Sequence, residues 1–78
     1  MFSISGLVIP TEWDQQGNVI NFAIATRDEE EYILEGHTHR VSLRPLLRQE
    51  VEVSGVLEKK GGKKIIKVKK IIKKNLHQ

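Results

Sequence analysis

From Val19 to Thr26 the chain reads Val-Ile-Asn-Phe-Ala-Ile-Ala-Thr, with Ile20, Phe22 and Ile24 alternating against Asn21, Ala23 and Ala25. Period-two alternation sends successive side chains to opposite faces, so this segment predicts a strand with one buried face. The same period runs through Phe2, Ile4 and Val8, with Gly6 between them. A glycine inside a strand marks a bulge or tight bend, which a small barrel needs in order to close. Pro10 cannot donate to a sheet ladder, which predicts interrupted pairing or an edge at that point. Asp14-Gln15-Gln16-Gly17-Asn18 has the composition of a turn.

Arg27-Asp28-Glu29-Glu30-Glu31 reads as a charged hairpin loop leading to a short third strand, Tyr32–Glu35, ended by Gly36. His37 to Arg48 breaks the alternation. Val41, Leu43, Leu46 and Leu47 suit a short helical turn whose length Pro45 limits. Glu50 to Glu58 alternates again through Val51 and Val53, then Gly55, Val56 and Leu57 after a register change at Ser54-Gly55. A glycine hairpin over Lys59–Lys63 leads to a last strand, Lys64–Lys73. Asn75–Gln78 predicts a flexible tail. The expected fold is therefore all-β, a five-stranded antiparallel barrel with a short helical turn between strands three and four. Too few residues remain for crossover helices, and closure removes the sheet edges.

The 78 residues allow one core, expected over 1–74, with 75–78 as the tail. There is no cysteine, hence no disulfide framework and no thiolate metal site. The opening Met1-Phe2-Ser3-Ile4-Ser5-Gly6 has no basic n-region, and no apolar run is long enough to span a membrane. No signal peptide, membrane span or membrane partner is expected, and the cytoplasm is the expected compartment.

Charge adds more. Nine of the sixteen residues from Lys59 to Lys74 are lysine and none is acidic. Residues 1–39 hold one cation against seven acids, whereas residues 40–78 hold twelve cations against three acids. Such a division makes either a dipolar surface that orients the protein on an anionic partner or a fold in which acidic and basic strands pair. The lysine run likewise has two readings. It grips the phosphates of a polyanion, or it is a solvated edge strand that lysine protects from aggregation.

The glycine-bent strand around Gly6, the segment Tyr32-Ile33-Leu34-Glu35-Gly36, the stretch Val51-Glu52-Val53-Ser54-Gly55-Val56-Leu57 and the basic closing hairpin through Lys67-Val68-Lys69-Lys70-Ile71 together resemble an OB-fold. The resemblance covers essentially the whole chain. It is to small stand-alone nucleic-acid-binding OB proteins and tRNA-binding-type OB modules. It implies a ligand face over strands two and three, at the non-core positions of Val19–Thr26 and Tyr32–Glu35. Gln15–Asn18 and Lys59–Lys64 would flank that face. OB modules for single strands usually supply aromatic stacking platforms, and this chain departs from them in having only Phe2, Trp13, Phe22 and Tyr32.

The candidate nucleic-acid contacts are Lys59, Lys60, Lys63, Lys64, Lys67 and Lys69, with Trp13 and Tyr32 either stacking bases or packing on the barrel. Arg40, Arg44 and Arg48, four apart, extend the basic surface if helical or pair with Glu50 and Glu52. His37 and His39 lack a third metal ligand, and Asp28–Glu31 lacks the spacing of a calcium loop, so no metal or cofactor is expected. Ser3, Ser5, Ser42 and Ser54 sit in no nucleophile motif, and Lys60-Gly61-Gly62-Lys63 joins strands without opening a helix. The expected function is non-catalytic: weak, salt-dependent binding of single-stranded DNA or RNA through the basic hairpin. The alternative is a protein-interaction module or a homo-oligomerising barrel.

Overall fold

Strands form where the alternation predicts them: β1 (Phe2–Trp13), β2 (Val19–Ala25), β3 (Glu31–Glu35), β4 (Glu50–Lys60) and β5 (Lys63–Lys73). The structure, a computed structural model, describes residues 1–36 and 43–74. The strands close into a barrel in the order β1-β2-β3-β5-β4. The expected mainly antiparallel barrel forms, with one parallel junction. β3 runs parallel to β5 through Ile33–Ile65, Leu34–Ile66 and Glu35–Lys67, and the other junctions are antiparallel. The reason is parity: a closed ring with an odd number of strands cannot alternate direction throughout. The parallel pair falls where β4 and its connections separate the two strands in sequence, giving the long excursion a parallel pair requires.

β1 is the corner strand. Phe2–Leu7 pairs with β4, and Leu7–Trp13 pairs with β2. Gly6 lies at the changeover, where a Cβ would stand 2.3 Å from the carbonyl oxygen of Ala25. Only a residue without a side chain lets the two backbones come so close. Beyond Pro10 the pairing with β2 shifts between Pro10 and Glu12 and again between Glu12 and Trp13, the interruption expected of a proline.

The β4–β5 hairpin turns through Gly61 and Gly62, with φ of 54° and 80°. Two consecutive positive φ values belong to the type I′ turn, whose twist matches that of the flanking strands. Along the hairpin, pairing steps from Ser54–Lys70 to Gly55–Val68, so Lys69 is an extra residue on β5. The register change thus falls at Ser54-Gly55 as expected, but the bulge belongs to β5 and β4 keeps strict alternation. Val56 is consequently outward and 46% exposed, apart from the core positions Val51 and Val53.

The core joins Val8, Phe22, Ile24, Leu34, Leu43, Val51, Val53, Ile66 and Val68. Burying each such side chain contributes about 2 kcal/mol against chain entropy. Ile20, on the same alternation as Phe22 and Ile24, is exposed at the start of β2. The helical turn between strands three and four is a 3-10 turn over Arg44–Leu46 with Pro45 in its first positions. Leu46 and Leu47 pack against the core, and Leu47 bridges to Val8. The expectations for His37, His39, Arg40, Val41 and Ser42, and for the tail Asn75–Gln78, lie outside the described residues. No helix among the described residues is long and apolar enough to cross a membrane.

Gly55 is the tightest point of the hairpin, since a Cβ there would lie 2.0 Å from the Lys67 carbonyl oxygen. At Gly61 a Cβ meets nothing within 4 Å, and only its positive φ resists substitution. Urea unfolding is expected to show Gly55→Ala losing about 3 kcal/mol by steric displacement. Gly61→Ala is expected to lose only about 1 kcal/mol through backbone strain. Equal losses would refute the close-approach account of Gly55.

Candidate polyanion-binding surface

In an antiparallel pair, residues directly opposite share a face, so the register assigns each lysine a side. Outward pairs on the β4–β5 hairpin are Lys60–Lys63, Glu58–Ile65, Val56–Lys67, Ser54–Lys70 and Glu52–Ile72. The intervening pairs Lys59–Lys64, Leu57–Ile66, Gly55–Val68, Val53–Ile71 and Val51–Lys73 turn inward. Without the bulge at Lys69, Lys70 would point inward and Ile71 outward. The extra residue puts the cation into water and the isoleucine against the core.

Of the lysines expected to bind, Lys60 and Lys63 stand together, outward and exposed, beside the Gly61-Gly62 turn. Lys59 and Lys64 occupy the inward row beyond the core, at the mouth of the barrel. Lys64 forms an ion pair with Glu30, and its Nζ lies 4.7 Å from the centroid of the Tyr32 ring. Lys67 Nζ is 3.5 Å from Glu58 Oε2. Lys69 and Lys67 line a cleft of about 430 Å³ at the start of β2, together with Ile20, Asn21, Phe22, Leu34, Glu35, Gly36, Leu43 and Val68. Glu35 on its wall makes this cleft mixed in charge.

The face over β2 and β3 has another character. Its outward positions are Asn21, Ala23, Ala25, Glu31, Ile33 and Glu35. Asn21 donates a side-chain hydrogen bond to Glu12 on β1. Ala23 is 0% exposed between its register neighbours Ile9 and Ile33 and offers a ligand nothing. β2 and β3 carry no cation.

The aromatic side chains do not gather there either. Tyr32 pairs with Ile24 on the inward side and packs against Phe2 with ring centroids 5.6 Å apart. Trp13 is 54% exposed at the end of β1, paired with Val19. Tyr32 is thus joined to the lysine cluster through Lys64, and Trp13 has no partner on β4 or β5.

Arg44 and Arg48 do not share a helical face, because Arg48 has φ of 64° and lies beyond the 3-10 turn. The ion pairs among the described residues are Lys64–Glu30 and Lys67–Glu58, so neither arginine reaches Glu50 or Glu52. Sequence reasoning did not place Lys70, Ser3 and Ser54 on this face, where the register brings them together. Ser3 Oγ and Ser54 Oγ are hydrogen-bonded at 2.7 Å, across strands far apart in sequence, and Ser54 is opposite Lys70. Lys74 Nζ lies 3.4 Å from Ser5 Oγ.

No protein-family model, curated protein or solved structure matches this chain. The strand order and closure are consistent with an OB-like fold.

The β1–β2 turn has a defined electrostatic feature of its own. Asp14 Oδ1 accepts the backbone N–H groups of Asn18 and Gln16, each at 2.9 Å, and Oδ2 accepts the Asn18 amide. The backbone donor of Asn18 comes first among the causes that hold this carboxyl below its ordinary value of 3.8. A depressed acid stabilises fully above the unfolded value and loses that contribution as pH falls through the lower folded value. NMR titration is expected to place the Asp14 midpoint below 3.8, and Asp14→Ala to remove this acid-dependent loss of stability. A midpoint at or above 3.8 would contradict the hydrogen-bonded turn.

Proposed function

We propose that this barrel is a non-catalytic binding module that takes nucleic acid on its β4–β5 hairpin in a salt-dependent manner. One observation carries the reading. Of the nine lysines between Lys59 and Lys74, only Lys64 and Lys67 have an acidic partner among the described residues. The remaining cations leave a field that a polyphosphate neutralises with release of its counterions. Lysine acts as a point charge without the planar fork that reads carboxylates or bases, so affinity is expected with little sequence preference.

A second reading, docking of a protein or of a second copy, is favoured by exposed aliphatic side chains. Val56 and Ile72 are each 46% exposed and Leu7 is 44% exposed, all on outward positions of β1, β4 and β5. A mass that rises with concentration in sedimentation, combined with no nucleic-acid binding, would select it.

The discriminating experiment is an oligonucleotide titration across a salt series. If about four lysines meet single-strand phosphates, the log–log slope of affinity against salt is expected near −3, at about 0.7 per phosphate. Changing Lys60, Lys63, Lys69 and Lys70 to glutamine is expected to abolish binding with an unchanged circular-dichroism spectrum, because all four are exposed. Binding that survives those changes, or a slope near zero, would overturn the reading.

A further inference from the structure

Resting on the nucleic-acid reading, we infer that the ligand is the sugar–phosphate backbone of a duplex, laid along the outward face of β4–β5. Unstacked bases across β2–β3 are not what this barrel takes. The register assembles that face. Lys60 and Lys63 stand at its tip, Lys67 follows beside Val56, and Lys70 sits opposite Ser54. Ser54 in turn shares a hydrogen bond with Ser3 on β1. Hydroxyls beside lysines are donors suited to phosphate oxygens. From Lys63 to Lys70 the face runs about 20 Å, at about 3.3 Å per residue with one residue taken up in the bulge. The acids on this face are Glu58, which holds Lys67, and Glu52 and Glu50 at its far end, all half-buried.

Two features exclude the other arrangement. The outward positions of β2 and β3 carry Glu31 and Glu35 and no cation, so phosphates gain no partner from those two strands. None of the four aromatic residues lies on β4 or β5. A flexible single strand therefore loses its conformational freedom on this face without base stacking to offset the loss. A duplex arrives already ordered and presents a charge every ~1.7 Å, twice the density of one strand.

Fluorescence anisotropy at low salt, with the intact chain, tests this. The probes are two mixed-sequence duplexes of unrelated sequence and a single strand of matched phosphate number. The duplexes are expected to bind alike within about twofold and about fivefold or more tighter than the single strand. Trp13→Ala is expected to leave duplex affinity unchanged. Equal or tighter binding of the single strand, or loss of duplex binding in Trp13→Ala, overturns this inference and leaves the nucleic-acid reading standing. Binding to none of the three probes removes both.

Discussion

The barrel depends on two places where backbone meets backbone. Where β1 leaves β4 for β2, Gly6 sits under the Ala25 carbonyl, and where β5 crosses β4, Gly55 sits under the Lys67 carbonyl. Five short strands enclose a ring only if some of them bend sharply, and a bend brings neighbouring chains closer than a Cβ tolerates. The rest of the architecture follows from these contacts. The first lets one strand serve two partners. The second fixes the bulge at Lys69 and, through it, the side on which every later residue of β5 emerges.

Charge plays a different part from packing. The acidic first half and the basic second half meet locally, as Lys64 on Glu30 and as Glu35 beside Lys67 in the register. The Lys64–Glu30 ion pair, this exposed, contributes at most about 1 kcal/mol, so it orients the β2–β3 and β4–β5 hairpins more than it stabilises them. It also consumes only part of the lysine excess. Pairing between halves and a directional surface field therefore coexist: the acids lie over β2 and β3, and the uncompensated cations lie on the closing hairpin.

How much was legible in the sequence differs from strand to strand. β2 is legible because Phe22 and Ile24 mark one face, and β1 because Gly6 and Pro10 mark its bend and its interruption. The parallel β3–β5 junction leaves no local signature, yet it follows from counting five strands in a closed ring. The phase of β5 is hidden for a specific reason. Ile65-Ile66 and Ile71-Ile72 are apolar doublets, so either isoleucine of each pair satisfies the core, and for Ile71-Ile72 the choice is made by the bulge opposite Gly55 on another strand. The Ser3–Ser54 bond and the burial of Ala23 are likewise products of long-range pairing. The lysine run was visible as charge from the outset, but the side of the barrel it serves was not.

The pairing of β1 with β4 has a temporal consequence. The Gly61-Gly62 hairpin joins neighbours and forms on the microsecond scale of isolated hairpins, about 1–10 μs. The contact of Ser3 with Ser54 spans 51 positions and must wait for the loop between them to be drawn in. Such distant contacts place closure among the slow steps of β-rich domains, roughly milliseconds to seconds. During synthesis, β1 emerges long before β4 exists to receive it. Until then its first six residues present an unpaired strand, held open by the order in which the chain is made.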